Sequence, residues 1–174
     1  DLKSINRVLG ATITVNVIAG LLGLILIIVF SSLLINMFKI DPAKVELASR
    51  LLIYAGIGFC LALFASSLSA IPQALQRYDI LNIVSSMLGL LKAAAMIAVV
   101  KLGYGITGLV ILMPVSTAIN IIILLMIGFR LIPGIRPWPI PSYSGLKEVS
   151  GYGFFAFVNQ IIGKISQEIE KLIL

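Results

Sequence analysis

Histidine is absent from the 174-residue chain, and its single cysteine, Cys60, sits inside an apolar run. The first absence removes the commonest general base and metal ligand, and with them any Ser-His-Asp arrangement. The second excludes an intrachain disulfide and a thiolate metal site. Neither a metal nor any other cofactor is expected. Charge is scarce too. Only 11% of residues are charged, where a soluble domain carries about a quarter. Acidic residues number 7 against 13 Lys and Arg, a net charge of +6. Most of these cations flank apolar runs, which assigns them to anchoring and orientation. No nucleic-acid partner is expected.

What the chain has in abundance is apolar length, with 60% hydrophobic residues. About 20 apolar residues cross a hydrocarbon core of about 30 Å. Five segments qualify: 8–38, 47–75, 80–101, 105–131 and 148–174. The expected fold class is therefore all-α, a polytopic membrane helix bundle with the lipid bilayer as its surroundings. The separators carry turn signals. "KIDPAK" holds Asp41-Pro42, a turn and helix restart, "QRYD" is a short polar turn, and "KLGYG" supplies two glycines. In "RLIPGIRPWPIPSYSG" four prolines fall between Pro133 and Pro141, which forbids a helix there. The chain thus divides into a four-helix unit over 1–131, a loop over 132–146 and a fifth helix over 147–174. The opening Asp1 and the apolar run into Leu174 make an internal piece of a longer protein the expectation.

Orientation follows from the cations. Lys3, Arg7, Arg77, Arg130, Arg136 and Lys147 gather at one set of helix ends, and Lys39, Lys44, Arg50 and Lys101 at the other. The positive-inside bias places Asp1 and the proline-rich loop in the cytoplasm. Trp138 and Tyr143 suit an interfacial aromatic belt.

The helices are not uniformly apolar. At about 100° per residue, Asn82, Ser85, Ser86, Gly89 and Lys92 share one face of the third helix, opposite Ile80, Val84, Met87 and Leu91. The first helix carries Thr12, Asn16, Gly20 and Gly23. The fourth carries Met113, Ser116, Thr117 and Asn120 beside Pro114, and the fifth Asn159, Gly163, Ser166 and Glu170. Two readings stand for these stripes: close helix packing through small and hydrogen-bonding residues, or a polar cavity shared by several helices. The glycines favour packing. Asn16, Asn120 and Asn159 fit either.

Lys92 demands more. It lies nine residues before Lys101, about 13 Å along a helix. A lysine stem of about 6 Å strains to reach the surface from there. At a helix centre it costs about 2.5–3.5 kcal/mol and normally faces a bundle interior or a wet cavity. It either pairs with a carboxylate such as Glu170 or faces an anion in a cavity. Pro114 removes a donor to the carbonyl of residue 110, as a fixed kink or as a hinge. Lys164, Glu168, Glu170 and Lys171 form helical pairs of opposite sign.

"IPQALQRYDILNIVSSMLGLL" resembles the short loop and following helix of polysaccharide biosynthesis membrane proteins. These are oligosaccharide-lipid flippases of the multidrug/oligosaccharidyl-lipid/polysaccharide exporter superfamily. "KLGYGITGLVI" resembles that family's tight glycine turn. "GLKEVSGYGFFAFVNQIIGKISQEIEKLIL" resembles the start of its second half, with Glu170-Lys171 where the family more often shows Asp. The resemblance implies a two-lobed transporter of about twelve to fourteen helices, of which this chain covers roughly helices three to seven. It also implies a cationic cavity for diphosphate-linked glycans on a polyprenyl carrier. Lys92 matches such a cavity, and Arg77 and Arg130 are either contributors to its cytoplasmic mouth or, the favoured role, ordinary topology anchors.

The expected function is to flip undecaprenyl-diphosphate-linked oligosaccharide across the cell inner membrane by alternating access, for polysaccharide or O-antigen synthesis, beside the polymerase machinery. The substrate-binding residues expected are Lys92, Asn82, Ser85, Asn16, Asn120 and Asn159, with Pro114 as hinge and Glu170 as ion-pair or coupling residue. No bond is made or broken, so a transporter and not an enzyme is expected. The rivals are a multidrug antiporter or a lipid II flippase of the same superfamily and, in another class, a membrane glycan polymerase or transferase.

Overall fold

The computed structural model describes residues 2–37 and 41–139, and among them every regular element is helical. Helix α1 spans Leu2–Met37. A 3-10 turn, Pro42–Lys44, leads into α2, Val45–Ala74. Helix α3 spans Tyr78–Lys101 and α4 Gly105–Leu131. All four are long and apolar enough to cross a membrane, so the chain is a multi-pass membrane protein. The fifth segment, with Asn159, Gly163, Ser166 and Glu170, lies outside the described residues.

The ends agree with the apolar runs to within a few residues, except at the start of α1. Its first turns, "LKSINR", are helical although polar. At about 1.5 Å per residue the 36 residues of α1 extend about 54 Å, well past the hydrocarbon core. That excess length lets the polar opening turns, with Lys3, Asn6 and Arg7, lie outside the hydrocarbon.

Two of the turns close by the same device. After α3, the Gly103 N–H donates to the Val100 carbonyl at 3.1 Å and the Tyr104 N–H to Val99 at 3.2 Å. Gly103 takes a left-handed φ of 80°. This is a Schellman end, which satisfies the last carbonyls of the helix. After α2, Gln76 donates to Gln73 and Arg77 to Pro72, at 2.9 and 2.8 Å. Here Gln76 holds the left-handed position, with φ 55°, which a side chain adopts at some cost.

Helix α2 lies between α1 and α4, and α3 rests mainly on α4. The close approach of α1 to α2 uses glycine. A Cβ on Gly20 would stand 3.1 Å from the Cys60 Cα, one on Gly23 3.0 Å from the Phe59 ring, and one on Gly56 2.8 Å from Leu24. Pro114 of α4 packs over Gly58 of α2. Small residues of this kind admit the van der Waals contact that drives association in lipid. A compact core of Leu9, Ile13, Ala65, Leu68, Ile71, Ile121, Leu124 and Ile135 fills the end near the start of α1. Long apolar side chains such as Ile18, Leu22, Leu26 and Val29 stay exposed on the outer side of α1, as lipid-facing residues should.

Asn6 ties the start of α1 to the segment after α4. Its amide donates to the Gly134 carbonyl at 3.3 Å and accepts the Arg136 N–H at 2.9 Å. The start of α1 and the proline-rich segment therefore share one side of the bundle. Trp138 there is 72% exposed, and Leu102 at the opposite side is 71% exposed. In a Cys60→Ala background, an impermeant maleimide applied to intact cells should label Leu102→Cys and spare Trp138→Cys. The reverse pattern would invert the assigned orientation, and labelling of both would contradict their placement on opposite sides.

Candidate functional site

The third helix buries no residue completely, and the space beside it is an open groove of about 360 Å³. Its walls come from three helices: Leu81, Val84, Ser85, Leu88, Gly89 and Lys92 of α3, Ser116, Thr117, Asn120 and Leu124 of α4, and Ser69 of α2. The helices run antiparallel, so these positions fix its depth. Leu81, Leu124 and Ser69 lie toward the end where α1 begins. Lys92 and Ser116 lie near mid-helix. The lining thus runs from mid-helix, where the cation stands, toward the side of Asn6 and Trp138.

Lys92 is half-buried and makes no hydrogen bond or ion pair among the described residues. The carboxylates described are Asp41, Glu46 and Asp79, all at or near helix starts. Glu46 pairs with Arg50 at 2.6 Å. Asp79 is engaged by Arg77 through two contacts of 3.1 and 3.2 Å. The Asp79 side-chain hydrogen bond and charge raise the guanidinium of Arg77 further above its already high range. An unpaired ammonium at mid-membrane depth is costly, and an anion that enters the groove lowers that cost.

The hydroxyls around it are all turned to their own helices. Ser85 donates to the Leu81 carbonyl at 2.6 Å, and Ser69 to Ser66 at 2.8 Å. Ser116 and Thr117 both donate to Met113, at 2.8 and 3.0 Å. Such back-bonding is common where Ser and Thr fall within helices.

The structure brings Lys92, Ser85 and Asn120 to one groove and leaves other expected members elsewhere. Asn82 is exposed, as is Ser86, while Val84 lines the groove instead of facing lipid. The inner face of α3 is thus rotated from the stripe that polarity alone marks out. Asn16 does not reach the groove. Its amide donates to Ser67 at 2.7 Å and approaches Ser66 at 3.4 Å, as a bond between α1 and α2. Ser67 is 1% exposed, so this amide satisfies a buried hydroxyl. Arg77 and Arg130 stand on the side where α1 begins, exposed and outside the lining. Asn159 and Glu170 fall outside the described residues. Gly89 has no heavy atom within 4 Å of the place a Cβ would take, so it widens the groove and does not serve packing. Ser69 lines the groove without belonging to any of the polar stripes, and the run "SSLSA" in α2 is its only signal in the sequence. The chain matches no family model, and no curated protein or solved structure matches it.

Proposed function

We propose that this chain is part of a membrane transporter that flips an anionic, lipid-linked glycan, an undecaprenyl-diphosphate oligosaccharide, from the cytoplasmic to the outer leaflet of the inner membrane. The observation that carries the reading is the half-buried Lys92, without an ion pair among the described residues, in a groove lined by hydroxyls and an amide. A diphosphate is the natural counter-ion there, because attraction between unlike charges grows as the effective dielectric falls. The apolar outer faces hold the protein in lipid, where the carrier's polyprenyl tail also resides. The sequence resemblance to polysaccharide flippases points the same way.

Alternating access needs an element with two arrangements. Pro114, which leaves the Val110 carbonyl of α4 without its helical donor and packs on Gly58 of α2, is the hinge in this reading. The whole protein in liposomes should expose inner-leaflet diphosphate-linked glycan to a lectin added outside. Pro114→Ala should slow this several-fold with an unchanged amount of inserted protein. Exposure no faster than in protein-free vesicles would reject the flippase reading. An unaltered rate for Pro114→Ala would remove that residue from the mechanism.

A further inference from the structure

The polar wall of the Lys92 groove is one-sided in its hydrogen bonding. A hydroxyl has one donor hydrogen and two acceptor lone pairs. In Ser69, Ser85, Ser116 and Thr117 that hydrogen is committed to a carbonyl of the same helix. Each hydroxyl therefore presents acceptors to the groove. Donors come from Lys92, which carries three and no acceptor, and from the Asn120 amide. A simple anion finds few partners besides the ammonium, since a hydroxyl must give up its carbonyl in a low-dielectric setting to serve it.

We infer that the groove selects a lipid headgroup that carries hydroxyls next to its phosphate, a glycosyl or polyol phosphate, with Ser116 and Thr117 as the residues that read those hydroxyls. The phosphate sits at Lys92. The adjacent hydroxyls donate to the lone pairs of Ser116 and Thr117, which lie at the same depth on α4. The headgroup is lipid-borne, because Leu81, Val84, Leu88 and Leu124 give the groove an apolar wall beside the hydroxyls. This rests on the anion-binding reading of Lys92 but makes a separate claim about selectivity.

The test compares short-chain phosphatidylinositol with short-chain phosphatidic acid, bound to the whole protein in nanodiscs and measured by calorimetry. Both carry a phosphate, and only the first carries ring hydroxyls. Thr117→Val keeps the shape of the side chain and removes the oxygen, and Ser116→Ala removes the other. Each should weaken phosphatidylinositol about fivefold and change phosphatidic acid less than twofold, the scale of one hydrogen bond. Thr117→Ser, which retains the acceptor, should restore binding. Equal loss for both lipids, or no loss for either, would overturn the selectivity. Free inositol 1-phosphate should compete poorly, and competition as strong as that of the lipid would overturn the lipid-borne assignment. Lys92→Ala that leaves phosphatidic acid bound as before would instead contradict the anion reading beneath it, and the two failures are thus told apart.

Discussion

Lys92→Ala is expected to leave the protein in the membrane at near-normal levels and to abolish glycan export. Removing the ammonium relieves an insertion cost of about 2.5–3.5 kcal/mol, and among the described residues it strands no carboxylate. Stability therefore has no reason to fall. Transport does. Unlike charges about 4 Å apart attract by about 4 kcal/mol at an effective dielectric of 20, roughly three orders of magnitude in affinity. Lys92→Arg keeps the charge with a broader, planar head and should retain part of the activity. Complementation by Lys92→Ala as full as wild type would refute a role in the groove. Loss of the protein itself, rescued by Glu170→Gln, would instead make Lys92 half of a structural ion pair.

Gly20→Leu is expected to have the opposite signature, with loss of the folded protein. A Cβ there would stand 2.9 Å from the Cys60 Sγ and 3.1 Å from its Cα. The sulfur could turn aside, but the backbone cannot, so α1 must part from α2. The Asn16–Ser67 bond, one turn away, parts with it. Overpacking of this kind costs about 3 kcal/mol, visible as a lower melting temperature in detergent and a reduced membrane level. Gly89→Leu provides the contrast, since nothing lies within 4 Å of its Cβ position. It should fold normally and block the groove. Normal stability for Gly20→Leu would mean that α1 and α2 are not held at this crossing.

The four described spans are legible in the sequence because a bilayer imposes length and apolarity on it, and because Asp41-Pro42 and the two glycines of "KLGYG" punctuate it. The start of α1 is hidden, since hydropathy reports what crosses hydrocarbon and says nothing of a helix that continues into the headgroups. Lys92 and Asn120 are recognisable as members of a polar site. Their separation from Asn16 is not. All three residues are polar within apolar helices, and only the partner distinguishes them: Ser67 for Asn16, the open groove for the other two. The rotation of α3 is equally hidden. Asn82 lies one turn from the helix start, where headgroups solvate it at little cost, so its polarity carries no demand to face inward. Val84 turns in because α4 is there.

The central claim is that a positive charge in the groove, at the position of Lys92, holds the substrate. Its most direct test is chemical restoration of that charge. In a Cys60→Ala background, Lys92→Cys should be inactive in the liposome flipping assay. Treatment with an aminoethyl thiosulfonate, which rebuilds a side chain ending in an ammonium, should return flipping, and the neutral ethyl reagent should not. Equal recovery with both reagents, or full activity of the untreated cysteine variant, would contradict the account.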